Sequence, residues 1–357
     1  MRVLVLGGTA FVGRAIVAEA LRTGAEVTLF GRGRTGRDLF PGVPRLLGDR
    51  DTGDYASLVR TVQEAAGQGR AAFDAVIDVS GYVVRHVRQA MDALDSAGGH
   101  LGRYLFVSSH AVYVPGGGPG SDEDAPRRPP RYDVDDAALL DGSTYGPAKV
   151  ACEDEVTARY GTRATVVRPG KVAGPHDPSG MFTYWVRRAA RGGRIALPGD
   201  PDQPIQILDV RDLARLVVRL VRDERPGAFH AVGPARPVTL GELIETCARV
   251  AGTAASTEIV PVQDPQAPPF FPLVRADHDG QRRSPARARA AGLTATPLDV
   301  TAADVLAWDR ARGRPPLTNG YSPEREAEVL ATAGQSAAAR RPVRPLGFFP
   351  ELEPGRD

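Results

Sequence analysis

The sequence predicts an α/β fold: a doubly wound parallel sheet with a smaller C-terminal lobe. Three observations carry this. The apolar run Val3-Leu4-Val5-Leu6 passes directly into Gly7-Gly8-Thr9-Ala10-Phe11-Val12-Gly13, and Arg14 to Leu21 follows with helical spacing. Strand-like and helix-like segments then alternate up to Pro169. After Gly174 the pattern changes, and prolines crowd Pro261 to Pro272.

The opening element is the most specific. A strand, a tight glycine turn and a helix together put an anionic ligand on a helix N-terminus, where backbone N–H groups point at it. A side chain at Gly7 or Gly13 blocks the approach of ligand to backbone, or of strand to helix. The middle glycine of the G-x-x-G-x-x-G pattern is Ala10 here.

The alternation continues in order. Glu26 to Phe30 reads as the second strand, and Gly31-Arg32-Gly33-Arg34 as a turn. Arg45 to Asp49 reads as a short third strand, and Tyr55 to Ala66 as a helix. Phe73 to Val79, Arg103 to Ser109 and Arg163 to Pro169 are strands four to six, with helices over Val84 to Ala97 and Tyr145 to Tyr160. Such βαβ alternation means parallel strands. Val114 to Ser143 breaks the pattern with Pro115 to Gly120, acidic Asp122-Glu123-Asp124 and proline-rich Arg127 to Arg131. A loop of this length is either functional or a surface insertion; the acidic triplet reads as solvated. In the second half, Met181 to Arg191, Arg211 to Val221 and Thr239 to Ala251 are helical, the last with Thr239 and Glu242 as a capping box. Ile205 to Val210 and Ala228 to Val232 read as strands, with His230 in the core. The division expected is 1–174, 175–308 as substrate-binding lobe, and an Arg/Pro-rich extension over 309–357 with a helical piece from Pro323 to Thr332.

Bulk properties narrow the partners. A formal net charge of +2 on 357 residues, with scattered arginines, favours neither nucleic acid nor an anionic membrane. No apolar run is long enough to span a bilayer, and Met1-Arg2 enters a strand with no apolar leader. Cys152 and Cys247 give neither a disulfide framework nor metal spacing and read as small buried or half-buried residues. A cytoplasmic protein is expected, and the abundance of Ala, Arg, Gly and Pro suits a GC-rich bacterial genome.

The chemistry concentrates at Tyr145-Gly146-Pro147-Ala148-Lys149, which puts a tyrosine and a lysine on one helix face. A phenol of pKa about 10 is a poor base at neutral pH. A nearby lysine charge favours the phenolate and fits it for proton transfer. The fifth strand ends in Ser108-Ser109, and a serine at that sheet edge can hydrogen-bond an oxygen undergoing oxidation or reduction.

With these residues in place the chain resembles the extended short-chain dehydrogenase/reductases, the group of nucleotide-sugar epimerases and dehydratases. Gly7 to Gly13 matches their cofactor loop. Ser108-Ser109-His110-Ala111-Val112-Tyr113 is similar to S-S-x-x-V-Y, and Arg168-Pro169-Gly170-Lys171-Val172-Ala173-Gly174-Pro175 to R-P-x-x-V-x-G-P. The resemblance implies a Rossmann-type sheet and hydride transfer at a nicotinamide. Tyr145 carries the proton, Ser109 polarises the carbonyl, and Lys149 lowers the tyrosine pKa and holds the ribose. It further implies cofactor contacts from Gly7, Gly8, Thr9, Ala10, Phe11, Val12 and Gly13, from Asp49 and Arg50, from Val79, Ser80, Gly81 and Val107, and from Pro169 and Val172 beside the nicotinamide. Tyr82, His110, Lys171, His176, Phe182 and Arg211 are the substrate candidates; for Phe182, as for Tyr184 and Trp185, ordinary helix packing is the alternative. A homodimer through the helices Val84 to Ala97 and Tyr145 to Tyr160 is implied, with Val84, Val87, Met91, Leu94, Val150, Val156 and Ala158 available for a second face.

Two departures bear on ligand identity. Many NAD-specific members end the second strand with an acid for the ribose 2′-OH. Here Gly31-Arg32 stands there with Arg34 close by. Arginine can bind a 2′-phosphate bidentately, which predicts NADP, with NAD as the alternative if Arg32 only stacks on adenine. Ile205 stands where the family carries an arginine for the sugar-nucleotide diphosphate. A nucleoside, a free or glycosidic sugar, or a secondary-metabolite ketone therefore gains ground. The G-G-T-x-F-x-G variant resembles a branch of bacterial epimerase/dehydratase-like proteins and plastid stem-loop RNA-binding proteins. A non-catalytic nucleotide-sensing or RNA-binding relative with an idle Rossmann core is the competing reading.

Overall fold

The computed structural model describes residues 1–96, 98, 101–134, 136–234, 236–268, 270–275 and 279–339. The first part runs β1 (Arg2–Leu6), α1 (Phe11–Arg22), β2 (Glu26–Gly31), β3 (Arg45–Leu47), α2 (Ala56–Gly67), β4 (Ala75–Asp78), α3 (Val84–Asp95), β5 (Arg103–Val107), α4 (Tyr145–Tyr160) and β6 (Ala164–Pro169). It continues with β7 (Lys171–Ala173), α5 (Met181–Ala189), β8 (Gly193–Leu197), β9 (Pro204–Ile205), β10 (Ile207–Asp209), α6 (Val210–Arg222) and β11 (Gly227–Ala231). Then come β12 (Val238–Thr239), α7 (Leu240–Ala251), β13 (Thr257–Pro261), α8 (Ala286–Ala290), α9 (Leu298–Ala311) and α10 (Pro323–Ala339).

Seven parallel strands form the central sheet in the order β11-β6-β5-β4-β1-β2-β3. Successive side chains of a strand point to opposite faces, and the sequence uses both. Val3 and Val5 of β1 join Ile16 and Val17 of α1 and Leu213, Leu216 and Val217 of α6. Leu4 and Leu6 join Leu58 of α2, Val87 and Met91 of α3, and Val156 of α4. Strand order reverses between β1 and β4, which opens a crevice at the carboxyl ends of the strands, the usual place for a ligand in such sheets.

The stretch after Gly174 serves two cores. α6 and β11 complete the central sheet layer, whereas α5, α7, α9 and β8 enclose a second core around Trp185, Phe182 and Phe271. The helix in the extension belongs to that second core. Glu326 of α10 is buried and accepts from Arg188 at 2.6 Å and Arg191 at 2.9 Å. The single strand expected over Ile205 to Val210 divides: β9 pairs antiparallel with β12, and β10 pairs parallel with β7. Gln206 at the break exchanges hydrogen bonds with the backbone of Arg283, at 2.7 and 2.9 Å.

The apolar residues that α3 and α4 were expected to offer a second copy are used internally. Val84, Val87, Met91, Leu94, Val150 and Val156 are all buried within one chain; Ala158 alone is exposed. What these helices show to solvent is polar and already ion-paired, as in Arg159–Asp92 at 2.7 Å and Arg88–Glu155.

Candidate active site

A cleft of about 620 Å³ lies at the carboxyl ends of β1, β2, β3 and β4. Its floor is the glycine turn. Gly7 has φ +89°, and a Cβ there would stand 2.7 Å from that of Ser80. A Cβ on Gly13 would lie 2.0 Å from the Gly7 carbonyl oxygen, so α1 packs against the turn backbone to backbone. Ala10 precedes α1 in extended conformation and offers no side-chain cap, so the first-turn N–H donors have no capping side chain as acceptor. Gly7 to Gly13, Arg32, Arg34, Asp49, Arg50, Val79, Ser80, Tyr82, Val107, Tyr145 and Lys149 all line this cleft. A dinucleotide fits such a cradle in size and in its bare backbone donors.

At the far end of the cleft the arginines have partners. Arg32 donates to Asp51 at 3.2 Å, and Arg34 lies 3.7 Å from Asp49. Arg50 is an internal wall. Its guanidinium grips the fully buried Asp78 with both nitrogens, Tyr104 donates to the same carboxylate at 2.7 Å, and Arg50 also reaches the His86 carbonyl at 2.8 Å. Burial pulls Asp78 up, but the Arg50 charge and the hydrogen bonds from Arg50 and Tyr104 together hold it below the usual carboxylate range, so it stays ionised. The backbone of Asp78, at the end of β4, thereby fixes the start of the Val79-Ser80 wall; Gly81, which follows, is buried and outside the lining.

Tyr145 opens α4, and Lys149 sits one turn on. Burial pushes the Tyr145 phenol up to about 12, and a hydrogen bond with Ser109 opposes this. Ser109 is held by accepting from the Ala111 N–H at 3.2 Å. Lys149 is 2% exposed. Its ammonium donates to the carbonyls of Gly81 and Val107, each at 2.8 Å, and lies 4.2 Å from the Phe106 ring centroid. Burial draws its pKa down to about 8. The lysine was expected to depress the tyrosine pKa. In this geometry it is engaged by two backbone carbonyls, and the groups acting on the phenol are its burial, Ser109, Tyr82 and Cys152.

The remaining candidates separate. Tyr82 stands in the cleft, its ring 5.8 Å from the Lys149 ammonium. His110 and Lys171 lie together beyond Ser109. Burial, then Lys171, brings His110 down to about 3, and burial, then Arg275, brings Lys171 to about 8. Pro169 closes β6, and Val172 packs at the edge of the first core. His176 is outside this group: with φ +72° it contacts Arg14 at 3.4 Å and turns its edge to Trp308. Phe182 is 2% exposed in the second core, because the helical spacing that suggested a pocket wall is equally that of a packed face. Arg211 clasps Asp209, the N-cap of α6, and Asp304 at 2.7 Å, and so ties α6 to α9.

The loop after Val114 is pinned. Arg128 donates to the carbonyls of Ala111 and Tyr113. Within the acidic triplet, Glu123 is 4% exposed and accepts from the His230 N–H at 2.7 Å. It is a core residue, unlike the solvated one the triplet suggested. Buried Glu153 on α4, one turn past Lys149, binds Arg168 through both oxygens at 2.7 and 2.9 Å and Arg127 at 3.1 Å. Asp51, His86, Thr35 and Pro178 also line the cleft and were not expected there. Asp51 had one signal in sequence, its place two residues after Asp49.

This fold, with its glycine cradle and the Ser109–Tyr145–Lys149 group at the sheet edge, defines an extended short-chain dehydrogenase/reductase, an NAD(P)-dependent enzyme. Within that class the chain belongs to the NAD dependent epimerase/dehydratase family, whose model matches residues 3–232. It is 28% identical over 294 residues to dTDP-4-dehydro-6-deoxy-D-allose reductase of Streptomyces bikiniensis, covering 74% of this chain and 86% of that protein. It is 25% identical over 265 residues to chloroplast stem-loop binding protein of 41 kDa b from Arabidopsis thaliana, covering 70% of this chain and 63% of that protein, less than two thirds of its length. Among solved structures, RMD from Pseudomonas aeruginosa complexed with NADPH superposes with a TM-score of 0.62 at 21% identity, covering 87% of this chain and 99% of that one. Among the described residues no helix is long and apolar enough to cross a membrane.

Proposed function

We propose that the protein is an oxidoreductase or epimerase that moves a hydride between NADP(H) and a secondary alcohol or ketone of a sugar-like or nucleoside-like substrate. The observation that carries this is that Tyr145 and Lys149, one helical turn apart on α4, line the same cleft as the glycine cradle, with Ser109 acting on the Tyr145 phenol. When bound, the nicotinamide supplies or takes the hydride. The Tyr145 phenol gives or takes the hydroxyl proton, and Ser109 orients the substrate oxygen toward it. Lys149, held between the Gly81 and Val107 carbonyls, keeps a positive charge at the ribose side of the cleft at neutral pH. Lys171 and His110 face the substrate, with His110 neutral. Arg32 and Arg34 supply the cations for a 2′-phosphate and carry the NADP reading, with NAD as the alternative cofactor.

Residues 1–174 with α6 and β11 serve the cofactor, and the second core carries the substrate lobe. A bacterial cytoplasmic protein that pairs through α3 and α4 completes the proposal; the polar outer faces of these helices would make the contact. The stem-loop binding named for the chloroplast relative predicts salt-dependent RNA affinity, which filter binding at two salt concentrations separates from this reading. The test is Tyr145→Phe. With a turned-over alcohol or ketone, the substitution abolishes hydride transfer and leaves NADPH affinity within about twofold, because the ring still packs in place. Wild-type turnover by Tyr145→Phe would remove the tyrosine from the mechanism.

A further inference from the structure

The adenosine end of the cleft carries an acid opposite the arginine that the proposed NADP preference rests on. Asp51 receives a hydrogen bond from Arg32 at 3.2 Å, and both side chains are about half exposed, 50% and 52%. Its second oxygen lies 3.2 Å from Nε2 of His86, whose ring is 2% exposed and also lines the cleft. Burial, followed by the Arg50 charge, brings His86 down to about 4, so at neutral pH the imidazole is uncharged and does not neutralise Asp51. The backbone of Asp51 is fixed as well. Its N–H donates to Asp49 at 3.1 Å, and its carbonyl accepts from Arg85 at 3.0 Å. The carboxylate is therefore held beside Arg32 by the fold and is not a wandering surface charge.

We propose that Asp51 is a cofactor-selectivity residue, which opposes a 2′-phosphate both by occupying Arg32 and by its own negative charge. This rests on the reading that the cleft binds a dinucleotide. A ribose 2′-hydroxyl leaves the Arg32–Asp51 pair intact, since it brings no charge. A 2′-phosphate must take Arg32 from Asp51 and then sit close to that carboxylate. The rim pairs Arg32 with Asp51 and Arg34 with Asp49, so a 2′-phosphate competes with a carboxylate for each arginine it would bind. Exposed ion pairs are individually weak, which bounds the effect: Asp51 tunes the choice between the two dinucleotides and does not abolish binding of either.

The experiment is titration of the whole chain with NADPH and with NADH, followed by nucleotide fluorescence, for wild type, Asp51→Asn, Asp51→Glu and Arg32→Ala. Asp51→Asn keeps the backbone contacts and removes the charge; it should tighten NADPH about three- to fivefold and leave NADH within about twofold. Asp51→Glu retains a carboxylate and should keep the wild-type ratio, which guards against a folding defect in the first variant. A NADPH/NADH affinity ratio unmoved by Asp51→Asn, or equal tightening of both nucleotides, overturns the proposal. Arg32→Ala separates the two readings. Selective loss of NADPH there with a flat Asp51→Asn sinks only the role of Asp51. Equal losses for both nucleotides in Arg32→Ala, with a selective gain in Asp51→Asn, remove Arg32 as phosphate reader and leave Asp51 acting by its charge. Failure of wild type to bind either nucleotide refutes the dinucleotide reading itself, and with it this proposal.

Discussion

Replacing Lys149 with methionine gives a stability difference whose pH dependence is fixed by the site. The ammonium is buried and its pKa falls from the ordinary 10.5 to about 8. That shift corresponds to about 3 kcal/mol. Below pH 8 both folded and unfolded chains hold the proton, and burying the ammonium costs the fold that whole amount. Between pH 8 and 10.5 the folded chain has released the proton while the unfolded chain keeps it, so stability rises with pH. Methionine removes this titration. It also leaves the Gly81 and Val107 carbonyls without their donor, at about 1–3 kcal/mol each if they find no water. The two effects oppose each other at pH 7, so the absolute difference there does not isolate the buried charge. The slope does. Wild type should gain about 2 kcal/mol on Lys149→Met between pH 7 and pH 9.5. Urea unfolding followed by tryptophan fluorescence reads this directly, because Trp185 is fully buried. Parallel pH profiles, within about 0.5 kcal/mol, would refute the burial of a charged lysine at this site.

Two further outcomes follow from the packing. Glu153→Gln should destabilise the chain by about 3 kcal/mol, since it leaves the Arg168 guanidinium buried without its carboxylate; denaturant midpoints check this, and a loss under about 1 kcal/mol would mean the pair is solvated. Light scattering at micromolar concentration should report twice the chain mass of 37.9 kDa if α3 and α4 pair; a monomer removes the dimer from the proposal.

Much of the central sheet could be read from the residues. Val3 to Leu6, buried on both faces, has no alternation to mislead, and the glycines after it have no other use at that spacing. The helix over Tyr145 to Tyr160 has its observed bounds, and the Thr239–Glu242 capping box forms as its spacing requires. The misreadings share one physical origin. Periodicity tells that a side chain is buried and not what it is buried against. Phe182 could serve a pocket or a core, and the apolar faces of α3 and α4 could meet a second chain or their own sheet. Glu123 shows the converse. A carboxylate between two other acids reads as solvated, and only the fold brings the His230 N–H and Arg287 to it from positions far along the chain. Asp51 and His86 were equally hidden, since their meeting depends on the fold bringing the first turn of α3 to the loop after β3.

The most direct measurement is titration of purified protein with NADPH, monitored by nucleotide fluorescence, with Gly13→Ala in parallel. A Cβ at residue 13 would stand 2.0 Å from the Gly7 carbonyl oxygen and 3.0 Å from the Gly8 Cα, contacts that only a shift of the cradle backbone can relieve. Wild type should bind one dinucleotide per chain at micromolar concentration, and Gly13→Ala should lose that binding by at least about tenfold while keeping a cooperative unfolding transition, since overpacking costs about 1–3 kcal/mol. Absence of binding by wild type up to millimolar nucleotide, or undiminished binding by Gly13→Ala, would contradict the placement of a dinucleotide in this cleft.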